Sequence, residues 1–138
     1  MKNKIIYADI FEVKVTEKTT WLFIKLINYQ NIVGWGEATL QGKSKEIFLI
    51  KDQIFELILN KNFTSPKDLK LNLPFQNIVQ ASISSSIMQC LWDIQGKVEN
   101  KTISSMFGKE NNLIQTYANF NRSTYDRSLN GIKLKALE

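Results

Sequence analysis

Val33-Gly34-Trp35-Gly36-Glu37-Ala38 and Leu91-Trp92-Asp93-Ile94-Gln95-Gly96-Lys97 are the two stretches whose reading decides the fold. The first is a short apolar strand carrying two glycines and ending beside a carboxylate. The second closes a long helical pattern and is followed by Lys101-Thr102-Ile103-Ser104-Ser105-Met106-Phe107-Gly108. The small residues of that helical pattern either let another helix or sheet approach closely or form a serine-rich exposed face.

Upstream of the first stretch, Ile5, Tyr7, Phe11 and Val13 alternate with Lys4, Glu12 and Lys14. This predicts a strand over 4–15 with those apolar side chains on one face. Residues 21–27 predict a second strand, apolar on both faces except at Lys25, hence central and covered by helices. The polar tips 16–20 and 28–31 join these to a third strand over 32–38, giving a three-stranded antiparallel meander.

Beyond Gly42 the period changes. Ile47, Ile50, Ile54 and Leu57 recur at helical spacing, with Ser44 placed to cap and Glu46 in the first turn, where a negative charge favours the dipole. The polar connection 60–74 holds a short helix near 67–71. A longer helix over about 77–98 carries Ile83, Ile87, Leu91 and Ile94 on one face, with Ala81, Ser82, Ser84, Ser85 and Ser86 as small neighbours. Gly96 and Asn100 end it. Trp92 is expected to be a large buried anchor between this helix and the sheet. A helical turn follows over 102–107, then a strand over 113–119 and a helix over 129–138 capped by Ser128.

The chain has 138 residues, enough for one buried core but far short of the roughly 250 of a closed (β/α)8 barrel. Its formal charge of +5 is almost all lysine, with Arg122 and Arg127 the only arginines. The lysines are scattered rather than gathered on an aromatic-bearing stripe, which argues against a nucleic-acid partner. No run approaches the ~18 apolar residues of a membrane span. Met1-Lys2-Asn3-Lys4 leads into an alternating strand rather than a signal peptide, so a cytoplasmic location is expected. Histidine is absent, which removes the commonest metal ligand and general base. Cys90 is the single cysteine and reads as a small buried hydrophobe.

In their order and separation, the two opening stretches resemble the N-terminal capping domain of the enolase superfamily, in its mandelate racemase and muconate-lactonizing branch. Gly34-Trp35-Gly36-Glu37-Ala38-Thr39 looks like the family's third cap strand and the loop behind it. Leu91-Trp92-Asp93-Ile94-Gln95-Gly96-Lys97 looks like its characteristic helix end, and Tyr117-Ala118-Asn119 like the first barrel strand. The segment from Ser128 to Leu134 is similar to the helix after that strand.

The resemblance implies an α+β fold, with a cap domain over 1–112 and, over 113–138, the first βα unit of a barrel whose remainder is absent. It also implies chemistry that removes a proton next to a carboxylate and stabilises the enediolate on Mg²⁺. The reaction would be that of a sugar-acid dehydratase or a racemase-like relative, with acid/base and metal groups on later barrel strands. No catalytic and no metal-ligating residue is then expected in this chain, which should be inert alone.

The cap's implied role is to close loops over a small carboxylate substrate, an acid sugar or hydroxy acid. By position these loops are 16–21 and 39–43, with Thr19, Thr20, Trp21, Gln41 and Lys43 as candidate contacts. Asn119, Asn121 and Arg122 join them at the opening of the first barrel strand. A complementary barrel chain or a second copy is the implied protein partner. A non-catalytic binding module, a remnant and half of a split enzyme stand as alternatives.

Three features imitate chemistry. Lys133-Leu134-Lys135 has the form of the family's Lys-x-Lys, but only about a dozen residues separate it from the preceding strand, too few for a βαβ crossover. Gly36 to Ser44 imitates a phosphate-binding loop, but with five residues between Gly36 and Gly42 instead of four. Glu37 and Asp93 are single carboxylates, read respectively as a strand-end polar anchor and a buried helix-to-loop acceptor.

Overall fold

The computed structural model of the chain describes residues 3–108; the expected strand over 113–119 and helix over 129–138 lie outside them. Strands β1 (Asn3–Lys14), β2 (Thr20–Asn28) and β3 (Val33–Glu37) form the antiparallel meander. The sheet has a fourth member that the sequence pattern did not reveal. Strand β4 (Asn62–Phe63) pairs antiparallel with Asn3 and Lys4, giving the order β3-β2-β1-β4. Two residues are too short to show an alternation. Asn60, in the left-handed region at φ 60°, turns the chain into β4 and donates its N–H to the Ile5 carbonyl at 2.8 Å.

The single-face reading of β1 is corrected by a bulge. Ile5 pairs with Asn28 but Tyr7 with Ile27, so Ile6 is an extra residue that exchanges the faces. Ile5 and Ile10 therefore both point into the core, at 0% and 7% exposure, whereas Tyr7, Phe11 and Val13 stand 40–45% exposed on the other face. On central β2, Leu22, Ile24 and Leu26 are fully buried. Its opposite face, with Trp21, Phe23, Lys25 and Ile27, is not covered by a described helix, contrary to the expected two-sided cover.

Helix α1 (Ser44–Glu56) buries Ile47, Ile54 and Phe55. Lys43 occupies its cap position with no side-chain cap hydrogen bond, so Ser44 lies inside the first turn instead of capping it. Helix α2 (Pro66–Lys70) starts with a capping box between Ser65 and Asp68. Helix α3 (Ile78–Glu99) is capped by Asn77 and ends where Asn100 adopts a left-handed conformation, φ 52°. Gly96 does not end it. It sits buried in the last turns, where an added Cβ would come 2.9 Å from the Lys101 carbonyl oxygen as the chain folds back. Helix α4 (Ile103–Met106) follows, capped by Thr102.

The two glycines of β3 are explained by α3. A Cβ on Gly34 would lie 2.2 Å from the Cys90 carbonyl oxygen, and one on Gly36 2.2 Å from that of Ser86. Strand positions two apart are ~6.7 Å apart and helix positions four apart are ~6 Å, so the two spacings match and backbone meets backbone. Ile83, Ile87, Leu91 and Ile94 complete the core from the same helix, all at 0% exposure. Trp92 is not the expected anchor between helix and sheet. It is half-buried on another side of α3, with its ring 4.8 Å from that of Phe107.

Candidate functional site

The edge of β3 and the junction of the two candidate loops are built by different means. Along the free edge of β3, alternate backbone groups meet side chains of α3. Gln89 Oε1 accepts the Glu37 N–H at 3.0 Å, Asp93 Oδ2 accepts the Trp35 N–H at 3.0 Å, and Lys97 Nζ donates to the Val33 carbonyl at 2.8 Å. Lys97 also pairs with Asp93 at 2.7 Å. The three helix positions recur every four residues, matching backbone groups spaced along the strand.

Asp93 is thus an acceptor from helix to strand, and its side chain is 34% exposed rather than buried. This hydrogen-bonded edge gives the Trp-Asp-Ile-Gln-Gly-Lys stretch a structural function. The Glu37 side chain is solvent-facing.

At the other end of the β2–β3 pair, the loops meet. The 16–21 tip is closed by the N–H groups of Val15 and Thr16 donating to the Thr19 carbonyl at 2.9 and 3.1 Å. The 39–43 loop turns through Leu40 to Lys43, with Gly42 at φ 73°. Two bonds join loop to strand: Leu22 N–H to Thr39 Oγ1 at 3.0 Å, and Ala38 N–H to the Leu22 carbonyl at 2.8 Å.

Between the loops lies a cleft of about 360 Å³, lined by Lys18, Thr19, Thr20, Thr39, Leu40, Gln41, Gly42 and Ser44. Three of the expected contacts, Thr19, Thr20 and Gln41, come together there. Two others do not line it. Trp21 stands on the open face of the sheet, edge-on to Phe23 with ring centres 6.3 Å apart. Lys43 is held at 2.8 Å by Glu46, whose carboxyl it keeps below the ordinary carboxylate range. Asn119, Asn121 and Arg122, like Lys133 and Lys135, lie outside the described residues.

Lys18, Thr39 and Ser44 line the cleft without having been singled out. The available signal was the pairing of Phe23 with Glu37, which sets the two loops side by side once β2 and β3 are placed in register.

The chemistry of this site is that of hydrogen bonding and one cation, with no acid/base pair. Among the described residues no group of three His, Cys, Asp or Glu lies together to hold a metal. The Mg²⁺ implied by the resemblance therefore finds no fitting ligand set among the described residues. Cys90, with Sγ 3.3 Å from the Ile24 carbonyl oxygen, is buried, and burial pushes its thiol up from 9.0 to about 12.

The comparisons with known proteins agree with this fold. The family described as mandelate racemase / muconate lactonizing enzyme, N-terminal domain, matches residues 10–108. A muconate cycloisomerase from Azorhizobium caulinodans superposes with a TM-score of 0.76 at 18% identity, over 97% of this chain and 39% of that one. A putative galactarate dehydratase from Agrobacterium radiobacter, bound to Na and L-malate, gives 0.67 at 22% identity, over 77% and 28%. A mandelate racemase/muconate lactonizing protein from Paracoccus denitrificans PD1222, complexed with magnesium, gives 0.64 at 21%, over 78% and 31%. The chain thus spans between 28% and 39% of the length of these three structures. It belongs to the mandelate racemase / muconate lactonizing enzyme family of the enolase superfamily, as that family's N-terminal capping domain.

Proposed function

We propose that the chain caps an enzyme that removes a proton next to a carboxylate, its loops 16–21 and 39–43 reading the distal end of a small acid substrate. The observation that carries this reading is the cleft in which Thr19, Thr20 and Gln41 meet. Its lining is three threonines, a serine, an amide and the Lys18 ammonium, with Leu40 the one large apolar side chain. Such a set satisfies hydroxyls and a carboxylate and offers little to an aryl group. An acid-sugar dehydratase therefore ranks ahead of a racemase of aromatic hydroxy acids. The putative galactarate dehydratase among the similar structures is in keeping with this order.

When bound in a complete enzyme, Mg²⁺ supplies charge stabilisation for the enediolate; this chain's own residues bind, orient and exclude water. The barrel would come from a continuing or a complementary chain. A cytoplasmic setting belongs to the same reading, and no helix among the described residues is long and apolar enough to cross a membrane.

The test starts with the DNA beyond codon 138. An adjoining frame encoding strands that end in Asp, Glu and Lys-x-Lys supports an enzyme, and its absence favours a binding module. In the enzyme that joins this chain to such a barrel, Thr20→Val and Gln41→Ala should raise KM for the acid about tenfold, with kcat within about threefold. An unchanged KM in both variants would remove the cleft from substrate recognition.

A further inference from the structure

The cleft between the two loops carries a charge that its own lining does not balance. Lys18 brings the one ammonium, and no carboxylate lines the cleft. Among the described residues Lys18 forms no ion pair, whereas the neighbouring Lys43 is neutralised by Glu46 at 2.8 Å. The backbone of Lys18 is nevertheless fixed. Its N–H donates to Thr16 Oγ1 at 3.2 Å, inside the tip that closes on the Thr19 carbonyl. Only the side chain is left to be ordered when a ligand arrives.

The groups around this cation are also uncommitted. The side chains of Thr19, Thr20, Gln41 and Ser44 make no hydrogen bond to another described residue, while Thr39 Oγ1 accepts the Leu22 N–H at 3.0 Å. Three hydroxyls and an amide beside one ammonium match a hydroxylated chain that ends in an anion. The amount of charge narrows that anion. One lysine offsets the single charge of a carboxylate, whereas a phosphate monoester brings about two, and no second cation lines the cleft.

In the proposed function, the carboxylate beside the abstracted proton belongs with the groups of the barrel. A carboxylate at Lys18 is therefore a second one. We infer that Lys18 reads a second carboxylate at the far end of the substrate, which makes the substrate class a hydroxylated dicarboxylic acid. The placing of the first carboxylate rests on the proposed function; the anion subsite at Lys18 rests on the cleft alone.

The subsite is tested on the full chain by amide NMR shifts at constant ionic strength, with about 1–50 mM of three probes. A hexonate carries one carboxylate, the matching hexitol none, and a hexitol phosphate a dianion. Hexonate should move the amides of Thr19, Thr20, Gln41 and Ser44 and bind about threefold or more tightly than hexitol. Lys18→Met should erase that preference, and Lys18→Arg should keep it because the charge is retained. Equal binding of hexonate and hexitol would overturn the subsite, as would a phosphate that binds more tightly than hexonate.

The second carboxylate is tested in the enzyme that joins this chain to its barrel. There Lys18→Met should lower the ratio of kcat/KM for hexarate to that for hexonate about 10–100-fold, the worth of one hydrogen bond to a charged group. Suppose instead that the ratio stays unchanged while Thr20→Val and Gln41→Ala still raise KM. That result would sink the diacid and spare the proposed function. A cleft that prefers hexonate, in an enzyme that turns over neither acid, would sink the proposed function and the diacid with it.

Discussion

At the scale of single residues, Gly34 and Gly36 matter because of what stands where their side chains would be. A methyl at Gly36 would meet the Ser86 carbonyl at 2.2 Å, and a helix carbonyl has no rotamer by which to move aside. Gly36→Ala should therefore cost about 3 kcal/mol in urea melts. Gly42→Ala should cost only about 1–2 kcal/mol, since nothing lies within 4 Å and only its positive φ of 73° is strained. Trp92→Ala should cost about 2 kcal/mol, below the range for a fully buried tryptophan, because its main aromatic contact is Phe107 at the end of the helix layer.

Cys90 makes a pH prediction. Burial raises its thiol from 9.0 to about 12, so folding favours the protonated form. Below pH 9 both folded and unfolded chains hold the proton, and this group contributes no pH dependence. Between 9 and about 12 the unfolded thiol ionises first, and stability should fall by up to about 1.4 kcal/mol per pH unit. Melts of the parent chain and Cys90→Ala across that window should diverge by this slope; parallel curves would contradict the burial.

At the scale of elements, the regular faces were legible and the irregular ones were not. The core side of α3 could be read from Ile83, Ile87, Leu91 and Ile94 because one helical period runs through all of them. Ile6 could not be read as a bulge, since a single extra residue reverses a strand's faces without disturbing its composition. The two residues of β4 were hidden for lack of length. The Gln89, Asp93 and Lys97 spacing was visible in the sequence, but its meaning required knowing that β3 is an edge.

Asp93→Ala, which frees the Trp35 N–H and Lys97 together, should cost about 2 kcal/mol by denaturant melt. At α2, the backbone N–H groups of Ser65 and Thr64 hold the Asp68 carboxyl below its ordinary value of 3.8. The stability it contributes is present above that value and is lost as pH falls through the lowered one. Asp68→Ala should thus be destabilised at pH 7 and match the parent chain at strongly acid pH.

At the scale of the whole molecule, the order of strands and helices carried the family, while the cleft was only partly legible. The expected segments 16–21 and 39–43 lie beside one another, though Thr20 and Trp21 belong to β2, and which residues face the cleft depends on the Leu22–Thr39 bond and on the register of two strands. Among the described residues no three His, Cys, Asp or Glu lie together, and the proposed function assigns the chemistry to a barrel that this cap would cover. The direct measurement is deuterium exchange at the carbon next to the carboxylate. The purified chain would be incubated in D₂O with Mg²⁺ and a panel of sugar acids and mandelate-like hydroxy acids. The expected result is no exchange and no dehydration above the protein-free control. Exchange that survives repurification and disappears in Lys133→Ala or Lys135→Ala would contradict the account, because it would place the acid/base chemistry within this chain.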